Sequence, residues 1–578
     1  MSEKRDEPST VPSGTTGTSF SRSSVEDRSS GQSSSESRID THDFYRIGGP
    51  GCLPEWPVST GPCNIDPELA STVFDITIDH LRRANIDYDG IQFCTRSTTG
   101  RPIVSSDTTL LIKASLDNQH DQLVSVVDDM IQIISGFGYL GRIEIIDPRA
   151  VNGIQTFTPE FSEQQQQSWE ATLIHIVEVL QNCESDWRQV MPANRGYWKE
   201  ASRPTVVIKA ANLTQQQQQI IRQLREELAD KDLQLEVMGT DKLWGLFGAL
   251  EATVQDRQVR DNLEWPGSNP YHGIGLSVGR SCGGTTSTIG GYLKVERNHE
   301  EHIVGLTCYH GIRTSEDGPA DPNIDAHGAV GLSWPCQSPS RQDLNIFLEP
   351  LQNIVNEPVP TDLPPEIEAA FETKRQDSLK KIQELEEFDA SIGNVVAVSG
   401  WRNRELGHGL NSPFTFVDWA CIELSRARCP LPVNLIQHVR QRLLEEYPEG
   451  LPLWKSTKSL VKAIAEVPHE DIAVFKQGRT TGLTAGTLGG LLPAEHRIRE
   501  LPGHLHHRGY IIFKSPHRSA FSQHGDSGAW CLNGDGDVIG QLVGGDERDG
   551  TGIMIPFSTV VDDIELKLGL KPGSVSLP

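Results

Sequence analysis

The sequence predicts a multidomain protein in which an α/β region precedes an all-β domain. Two similar apolar heptapeptides, each followed by a helical pattern and then another strand-like segment, indicate the α/β region. From about residue 272, short strand-like segments separated by glycines replace this pattern, which is typical of barrels and sandwiches. The chain has 578 residues, and a rule of about 150 residues per domain predicts about two to four domains.

The N-terminal segment has the composition of a disordered tail. Residues 1–42 are rich in Ser, Thr, Gly and charged side chains and contain few aliphatic ones. Such a segment buries too little apolar surface to offset the chain entropy lost on folding. The sequence therefore predicts a disordered, Ser-rich tail over these residues.

The two heptapeptides are TLLIKAS at residues 109–115 and TVVIKAA at residues 205–211. Each reads as a buried strand, a helix and a second strand, and parallel strands require such a helical crossover. Thr214 is suited to cap the second helix. One interpretation is an α/β domain over residues 43–260 with an internal repeat. The alternative is two unrelated β-α-β units, and the sequence leaves both open.

The all-β domain is expected over residues 261–578, with one helical interruption at about 361–390. The segment PPEIEAAFETKRQDSLKKIQELEEF contains strong helix formers and no strand-like alternation. Its apolar residues lie on one side of the predicted helix, and its charged residues form a solvated face. We therefore predict a helical insertion in a β domain.

Charge and composition exclude some classes of partner. The chain has 52 Lys and Arg against 78 Asp and Glu, a net charge of −26. This charge repels phosphate backbones and anionic membranes, so we expect neither nucleic acid nor membrane as a partner. The N-terminus shows no signal-peptide pattern. No segment contains a run of about 20 apolar residues, the length that a helix needs to cross a bilayer. These features predict an intracellular, cytoplasmic protein, and the sequence specifies no oligomeric state.

The stretch HGDSGAW, residues 524–530, contains a candidate nucleophile, Ser527. Gly, Asp and Ser are common in plain turns, but the same residues can hold a serine beside convergent backbone N–H groups. In α/β-hydrolases the catalytic histidine follows the serine. The last histidine here is His524, so that order is excluded. An upstream base remains, and His310 in LTCYHGI follows an apolar strand.

The GDSG motif at Ser527 and the upstream T-x-x-H motif at His310 resemble those of the chymotrypsin-like, or trypsin-like, serine peptidases. The resemblance covers residues 273–569. It implies a double β-barrel and an intracellular multidomain serine endopeptidase. Such an enzyme hydrolyses protein or peptide substrates through a Ser-His-Asp triad and an acyl-enzyme. No cofactor or metal is expected.

The resemblance also implies roles for residues near Ser527. The backbone N–H groups of Gly525 and Ser527 would form the oxyanion hole, and Asp526 would be a structural acid. A hairpin after Ser527 would form one wall of the specificity pocket, which includes Gly544 and Gly545.

Three aspartates compete for the third place in the triad. Asp418, in FVDWACIEL, precedes a strand and is favoured. Asp343, in SRQDLNIF, is the alternative acid. Asp471 matches the family's strand motif in DIAV, but it immediately precedes the apparent start of the second barrel, whereas the triad acid belongs to the first.

Specificity and activation depart from the trypsin-like pattern. Phe521 stands six residues before the nucleophile, where trypsin-like specificity requires an acid, so we expect an apolar or small P1 residue. Gly311 replaces the cysteine that commonly follows the histidine. No Ile-Val-Gly-Gly-like activation site precedes the first barrel strand.

Two other interpretations compete with the peptidase. The histidines of HLHH, residues 504–507, could bind a metal, but no third ligand is defined and an exposed turn is favoured. The other alternative is a catalytically inactive trypsin-like fold that serves as a partner-binding or regulatory scaffold.

Overall fold

The computed structural model describes most of residues 39–578. The longest gaps are residues 245–272, 314–323, 405–414 and 437–453. The predicted tail therefore lies outside the described residues up to residue 38. The chain divides into two compact units, residues 1–151 and 152–578. This division falls inside the region 43–260 that the sequence analysis treats as one domain.

Among its described residues, unit 1 contains one six-stranded sheet and two α-helices. The strands are β1 (Asp40–Asp43), β2 (Arg46–Gly49), β3 (Val58–Gly61), β4 (Gly90–Thr98), β5 (Thr108–Lys113) and β6 (Arg142–Ile146), and the helices are α1 (Pro67–Arg83) and α2 (His120–Ser135). The sheet order is β1-β2-β6-β5-β4-β3, and of its strand pairs only β5 and β6 are parallel. The predicted unit around TLLIKAS is therefore present as β5, α2 and β6.

The first part of unit 2 has the same order of elements. It consists of β7 (Gln155–Phe157), α3 (Glu163–Asn182), β8 (Trp187–Gly196), β9 (Arg203–Ala210), α4 (Gln215–Ala229) and β10 (Gln234–Gly239). Again the last two strands are parallel and the earlier pairs are antiparallel. Thr214 caps α4 through a capping box with Gln217, as predicted.

A buried ion pair links the strands of unit 1. Arg96 in β4 donates from Nε and Nη2 to both carboxylate oxygens of Glu144 in β6, at 2.8 and 3.0 Å. Its Nη1 donates to Thr60 Oγ1 in β3 at 2.9 Å. Arg46 also donates to Glu144, at 2.8 Å. One carboxylate thus balances two buried guanidinium groups.

Unit 2 repeats this arrangement at matching strand positions. Arg195 in β8 makes two 2.8 Å hydrogen bonds to Glu236 in β10, and its Nη1 donates to Thr156 Oγ1 in β7 at 2.6 Å. In each unit the threonine lies directly opposite the arginine. The glutamate lies opposite the third residue of the heptapeptide. The two segments therefore carry an arginine, a glutamate and a threonine at matching strand positions.

Six strands close into a first ring after residue 273. They are β12 (Leu276–Arg280), β13 (Ser287–Ile289) continuing into β14 (Gly291–Arg297), β15 (Glu300–Thr307), β16 (Ala329–Gln337), β17 (Ser391–Val398) and β20 (Ala420–Leu424). Every neighbouring pair is antiparallel, and β16 returns to β12. A closed ring leaves no exposed sheet edge.

A second ring follows in the chain. It contains β21 (Ile472–Gly478), β22 (Gly482–Leu488), β24 (His506–Lys514), β25 (Trp530–Leu532), β26 (Val538–Asp546) and β27 (Thr551–Pro556). Its pairings close in the order β21-β22-β24-β27-β26-β25. The C-terminal helix α7 (Phe557–Leu568) follows. The structure therefore agrees with the predicted all-β region.

The helical insertion is larger than the sequence predicts. Between β16 and β17 lie α5 (Arg341–Asn356) and α6 (Pro365–Glu386), which contact each other. The sequence pattern predicts α6 within 361–390 and does not predict α5. Pro350 lies inside α5, where proline ordinarily disfavours a helix, whereas Ser340 caps its N-terminus.

The α/β part of unit 2 packs directly on the second ring. Strand β8 pairs with β23 (Ala494–Arg497), which also pairs with β24. Lys209 of β9 is fully buried and contacts Asp546 at 2.8 Å and Asp549 at 2.6 Å. Trp169 Nε1 of α3 donates to the carbonyl of Pro493 at 2.9 Å. These contacts explain why residues 152–239 belong to the same compact unit as the rings.

None of the helices in the described residues is long and apolar enough to cross a bilayer.

We expect Glu144→Gln to destabilise unit 1 more than Glu236→Gln destabilises its own sheet. Glu144 is fully buried and balances two arginines, whereas the side chain of Glu236 is 34% exposed and balances one. Breaking a buried ion pair costs about 3–5 kcal/mol. Hydrogen-exchange mass spectrometry of peptides from β6 and β10 would measure the two effects separately. Equal loss of protection in the two variants would contradict the expectation.

Candidate functional site

The strand register of the first ring brings His310 and Asp418 together. Thr307 at the end of β15 pairs with Ala420 at the start of β20, so the residues beyond each strand end meet. Asp418 Oδ2 lies 2.5 Å from His310 Nδ1, and Asp418 Oδ1 accepts from the His310 backbone N–H at 3.0 Å. Asp418 is fully buried, and the His310 side chain is 12% exposed.

This geometry defines the proton positions on the imidazole. An ionised carboxylate can only accept hydrogen bonds. A neutral His310 beside it therefore carries its proton on Nδ1 and donates a hydrogen bond from there to Asp418. Nε2 is then the unprotonated nitrogen and can accept a proton from another group. Gln541 Nε2 donates to the backbone carbonyl of Asp418 at 3.1 Å, which ties the acid to β26. The His–Asp pair is therefore arranged as an oriented base.

Ser527 lies in a tight loop immediately before β25. The N–H of Asp526 bonds to the carbonyl of Gln523, and the N–H of Ala529 bonds to the carbonyl of Asp526, both at 3.0 Å. Gly525 and Gly528 have φ of +93° and +92°, which L side chains rarely adopt. The glycines of GDSG are therefore required by the backbone of this loop.

Strand β13 connects the Ser527 loop to the strand that carries His310. The carbonyl of Ser527 accepts from the Thr288 N–H at 2.8 Å and from Ser287 Oγ at 2.7 Å. Thr307 Oγ1 donates to the carbonyl of Thr288 at 2.7 Å. Because Thr307 lies three residues before His310, these bonds join the Ser527 loop to the strand that leads to His310.

Within the described residues, Ser527 makes no hydrogen bond to His310. The N–H groups of Gly525 and Ser527 also donate to no other described residue. Ser527 itself is only 3% exposed. The loop thus presents a hydroxyl and two unused backbone donors near an oriented imidazole.

Asp526 points away from these groups into the protein interior. Its carboxylate accepts from the backbone N–H groups of Thr480 (2.8 Å), Thr481 (3.1 Å) and Gln523 (3.0 Å). Lys476 Nζ lies 3.0 Å from Asp526 Oδ2, and both side chains are fully buried. Burial lowers the pKa of Lys476, while the charge of Asp526 opposes this shift. The loop therefore rests on a buried ion pair.

Among the described residues, Asp343 makes no hydrogen bond or ion pair with His310. It lies in the first turn of α5 and forms a buried bidentate ion pair with Arg479, whose Nε is 2.9 Å from each carboxylate oxygen. A Cβ added at Gly525 would lie 2.6 Å from Arg479 Nη1. His310 is thus hydrogen-bonded to Asp418, whereas Asp343 binds Arg479, whose guanidinium lies beside Gly525 of the Ser527 loop. Asp471 is exposed and directly precedes β21.

The predicted pocket residues lie on the second ring. Phe521 is fully buried, its carbonyl accepts from Thr484 Oγ1 at 2.7 Å, and its ring lies near the glycine positions 486 and 552. Gly544 and Gly545 lie in β26 opposite Ile553 and Gly552. Their roles in specificity remain predictions.

Cys308, His310 and Asp418 have potential ligand atoms within 4.8 Å of one another. Burial raises the pKa of the Cys308 thiol well above its usual value, so a thiolate ligand is disfavoured. Nδ1 and the carboxylate are already bonded to each other. The donor set therefore suits a hydrogen-bonded pair better than a metal. Of HLHH, residues 504 and 505 lie outside the described residues.

Sequence reasoning missed Lys476, Arg479 and Thr288. All three are buried against the Ser527 loop through contacts or close approaches that span 46 to 237 residues. The segment FKQGRTTG shows two cations among strand residues, but no local pattern indicates their partners.

No protein-family model and no curated protein matches this chain. Among solved structures it is similar to the Rv3671c protease from M. tuberculosis in its active form, with 12% identity, 59% of this chain and 97% of that chain covered, and a TM-score of 0.21. The inactive form of the Rv3671c protease gives 11% identity, coverages of 48% and 89%, and a TM-score of 0.21. TM-scores this low do not assign a fold.

We expect Lys476→Met to destabilise unit 2 by about 3–5 kcal/mol, because it leaves the buried carboxylate of Asp526 without its counter-charge. Combining Lys476→Met with Asp526→Asn removes both charges and should recover part of this loss. Urea denaturation followed by tryptophan fluorescence compares the variants. A double variant that is less stable than the single one would contradict this account of the pair.

Proposed function

We propose that this protein is a serine endopeptidase with a trypsin-like double barrel, whose triad is Ser527, His310 and Asp418. The observation that carries the proposal is the part-buried His310–Asp418 hydrogen bond, which lies just after β15, the strand that is linked through β13 to the GDSG loop. The same three types of group form hydrolytic triads on unrelated folds, which are recognised by geometry and role.

In the proposed reaction, His310 Nε2 takes the proton of Ser527 as Oγ attacks the substrate carbonyl. Asp418 holds the imidazole in the required tautomer and stabilises its charged form. The unused N–H groups of Gly525 and Ser527 would bind the oxyanion, and loss of one such donor typically costs about 10²–10³ in rate. The leaving amine takes the proton from His310, and water hydrolyses the acyl-enzyme.

Two features support a role for the second ring in substrate selection. Phe521, a fully buried aromatic residue, stands in place of the acid that the proposed pocket would need to bind a basic P1 residue. Gly544 and Gly545 carry no side chain that would narrow it. We therefore propose that the enzyme accepts protein or peptide substrates with an apolar or small P1 residue.

One observation favours an inactive, partner-binding protein as the second candidate. Ser527 has no hydrogen bond to His310 among the described contacts. Catalytic hydrogen bonds are often long in the absence of substrate, so this observation alone does not exclude activity.

A fluorophosphonate probe tests the proposal directly. We expect the wild-type protein to be labelled on Ser527, whereas Ser527→Ala and His310→Ala should not react, because the probe requires an activated serine. Peptide mapping by mass spectrometry would locate the label. A wild-type protein that stays unlabelled, or a label that persists in Ser527→Ala, would refute the proposed nucleophile.

The acid can be identified by comparing Asp418→Asn with Asp343→Asn. Because Asp418 orients the imidazole, its replacement should slow labelling by about 10⁴-fold with little change in fold. Asp343→Asn breaks the pair with Arg479, so its main effect should be a lower melting temperature. Labelling rates and thermal melts of both variants provide the test. A greater kinetic loss in Asp343→Asn at full stability would reverse the assignment.

A further inference from the structure

The start of β4 in unit 1 matches the start of β8 in unit 2. The helices before these strands end in the same way, since Asn85 and Glu184 both have positive φ, of 53° and 51°. In each case the next N–H donates to the helix carbonyl five residues earlier. Gly90 of β4 and Gln189 of β8 each lie opposite the lysine of the heptapeptide. The two segments therefore correspond position for position from the helix end into the strand.

The outer edge of β8, on the side away from β9, is covered along its length. Strand β7 pairs with the last three residues of β8, and β23 pairs antiparallel with Gln189 and Val190. Arg497, the last residue of β23, donates to the carbonyl of Ser185 at 2.9 Å. Its guanidinium lies 5.9 Å from the ring centroid of Trp187. A strand that ends in a basic residue thus completes this edge.

The corresponding edge of β4 is only partly covered. Strand β3 pairs with β4 over residues 95–98, and β5 occupies the other side of β4. Within the part of the chain that the structure describes, no strand pairs with the outer edge of residues 90–93. We call these four residues the open edge. Unpaired backbone groups on such an edge can pair with another chain.

The approach to the open edge is negatively charged. Asp87 and Asp89 are exposed, and neither carboxylate makes a hydrogen bond or an ion pair with another described residue. The corresponding residues in unit 2 are Asp186 and Arg188, which contact each other at 3.5 Å and have opposite charges. Unit 1 therefore carries two uncompensated negative charges where unit 2 carries a balanced pair.

We propose that the open edge binds an extended, basic segment of a partner protein as an added antiparallel strand. An arginine of this segment would take the position that Arg497 has in unit 2, near Asp87 and Asp89. Tyr88 stands at the position of Trp187 and offers a ring for the guanidinium. In such complexes main-chain hydrogen bonds provide affinity and side chains provide specificity.

The charge of the chain favours a foreign segment over a second copy of this protein. A net charge of −26 makes two copies repel each other, whereas it attracts a basic segment. Because unit 1 contains none of the proposed triad, binding at the open edge is independent of peptidase activity.

A fluorescein-labelled peptide, Thr-Val-Thr-Val-Arg-Val-Arg, tests the proposal on the full chain carrying Ser527→Ala, which cannot hydrolyse it by the proposed mechanism. We expect the matched peptide with glutamate in place of arginine to bind at least about tenfold more weakly in fluorescence anisotropy. Hydrogen-exchange mass spectrometry should show slower exchange in residues 90–93 when the basic peptide is bound. No added protection there at the highest soluble peptide concentration would overturn the proposal.

Two double variants with equal changes in charge test the location of the site. Asp87→Lys with Asp89→Lys should weaken binding of the basic peptide by about tenfold or more. Glu68→Lys with Asp75→Lys, at exposed residues of α1, should leave the dissociation constant within about twofold. Equal weakening in both variants would overturn the proposal, because only a general charge attraction would remain.

A change in the peptide tests the added strand without altering the protein. The basic peptide N-methylated at every residue keeps its charge but donates no backbone hydrogen bond. It should bind at least about tenfold more weakly than the unmodified peptide. Equal affinity of the two peptides would overturn the proposal.

Discussion

The carboxylate of Asp526 accepts hydrogen bonds from three separate parts of the chain. The conformation of the Ser527 loop depends on these bonds. It accepts hydrogen bonds from the consecutive backbone N–H groups of Thr480 and Thr481 and from the backbone N–H of Gln523. It also accepts one from the ammonium group of Lys476. A buried charge without its counter-charge would lower the free energy of unfolding. The Ser527 loop and the strand that carries Lys476 are therefore held in a fixed arrangement. Because Ser527 directly follows Asp526, these contacts also fix the backbone position of the candidate nucleophile.

The base is positioned by an independent set of contacts. Strand register alone brings the end of β15 to the start of β20, and the His310–Asp418 bond is formed within the first ring. The two rings are then tied together by backbone and hydroxyl groups of β13, and by Gln541 from β26. Such rigid, locally satisfied elements can hold catalytic groups at a fixed separation.

Sequence patterns predicted the parts of this protein that depend on local order. The heptapeptides predicted both β-α-β units, and the order of histidine and serine indicated His310 and Ser527. Lys476 and Arg479 could not be paired in this way, because their partners are distant in sequence and an isolated cation in a strand has no periodic signature. The strand Leu243–Trp244 has two residues, too few for any alternation to be detected.

The buried contacts of Lys209 also bear on how the catalytic half can be produced. A fragment that begins near residue 261, where the sequence analysis places a boundary, would lose the lysine that neutralises Asp546 and Asp549. It would also expose the edge of β23 that pairs with β8. A fragment that starts near residue 152, at the boundary of unit 2, keeps both Lys209 and β8, so the second α/β segment is an integral part of the barrel domain's interior.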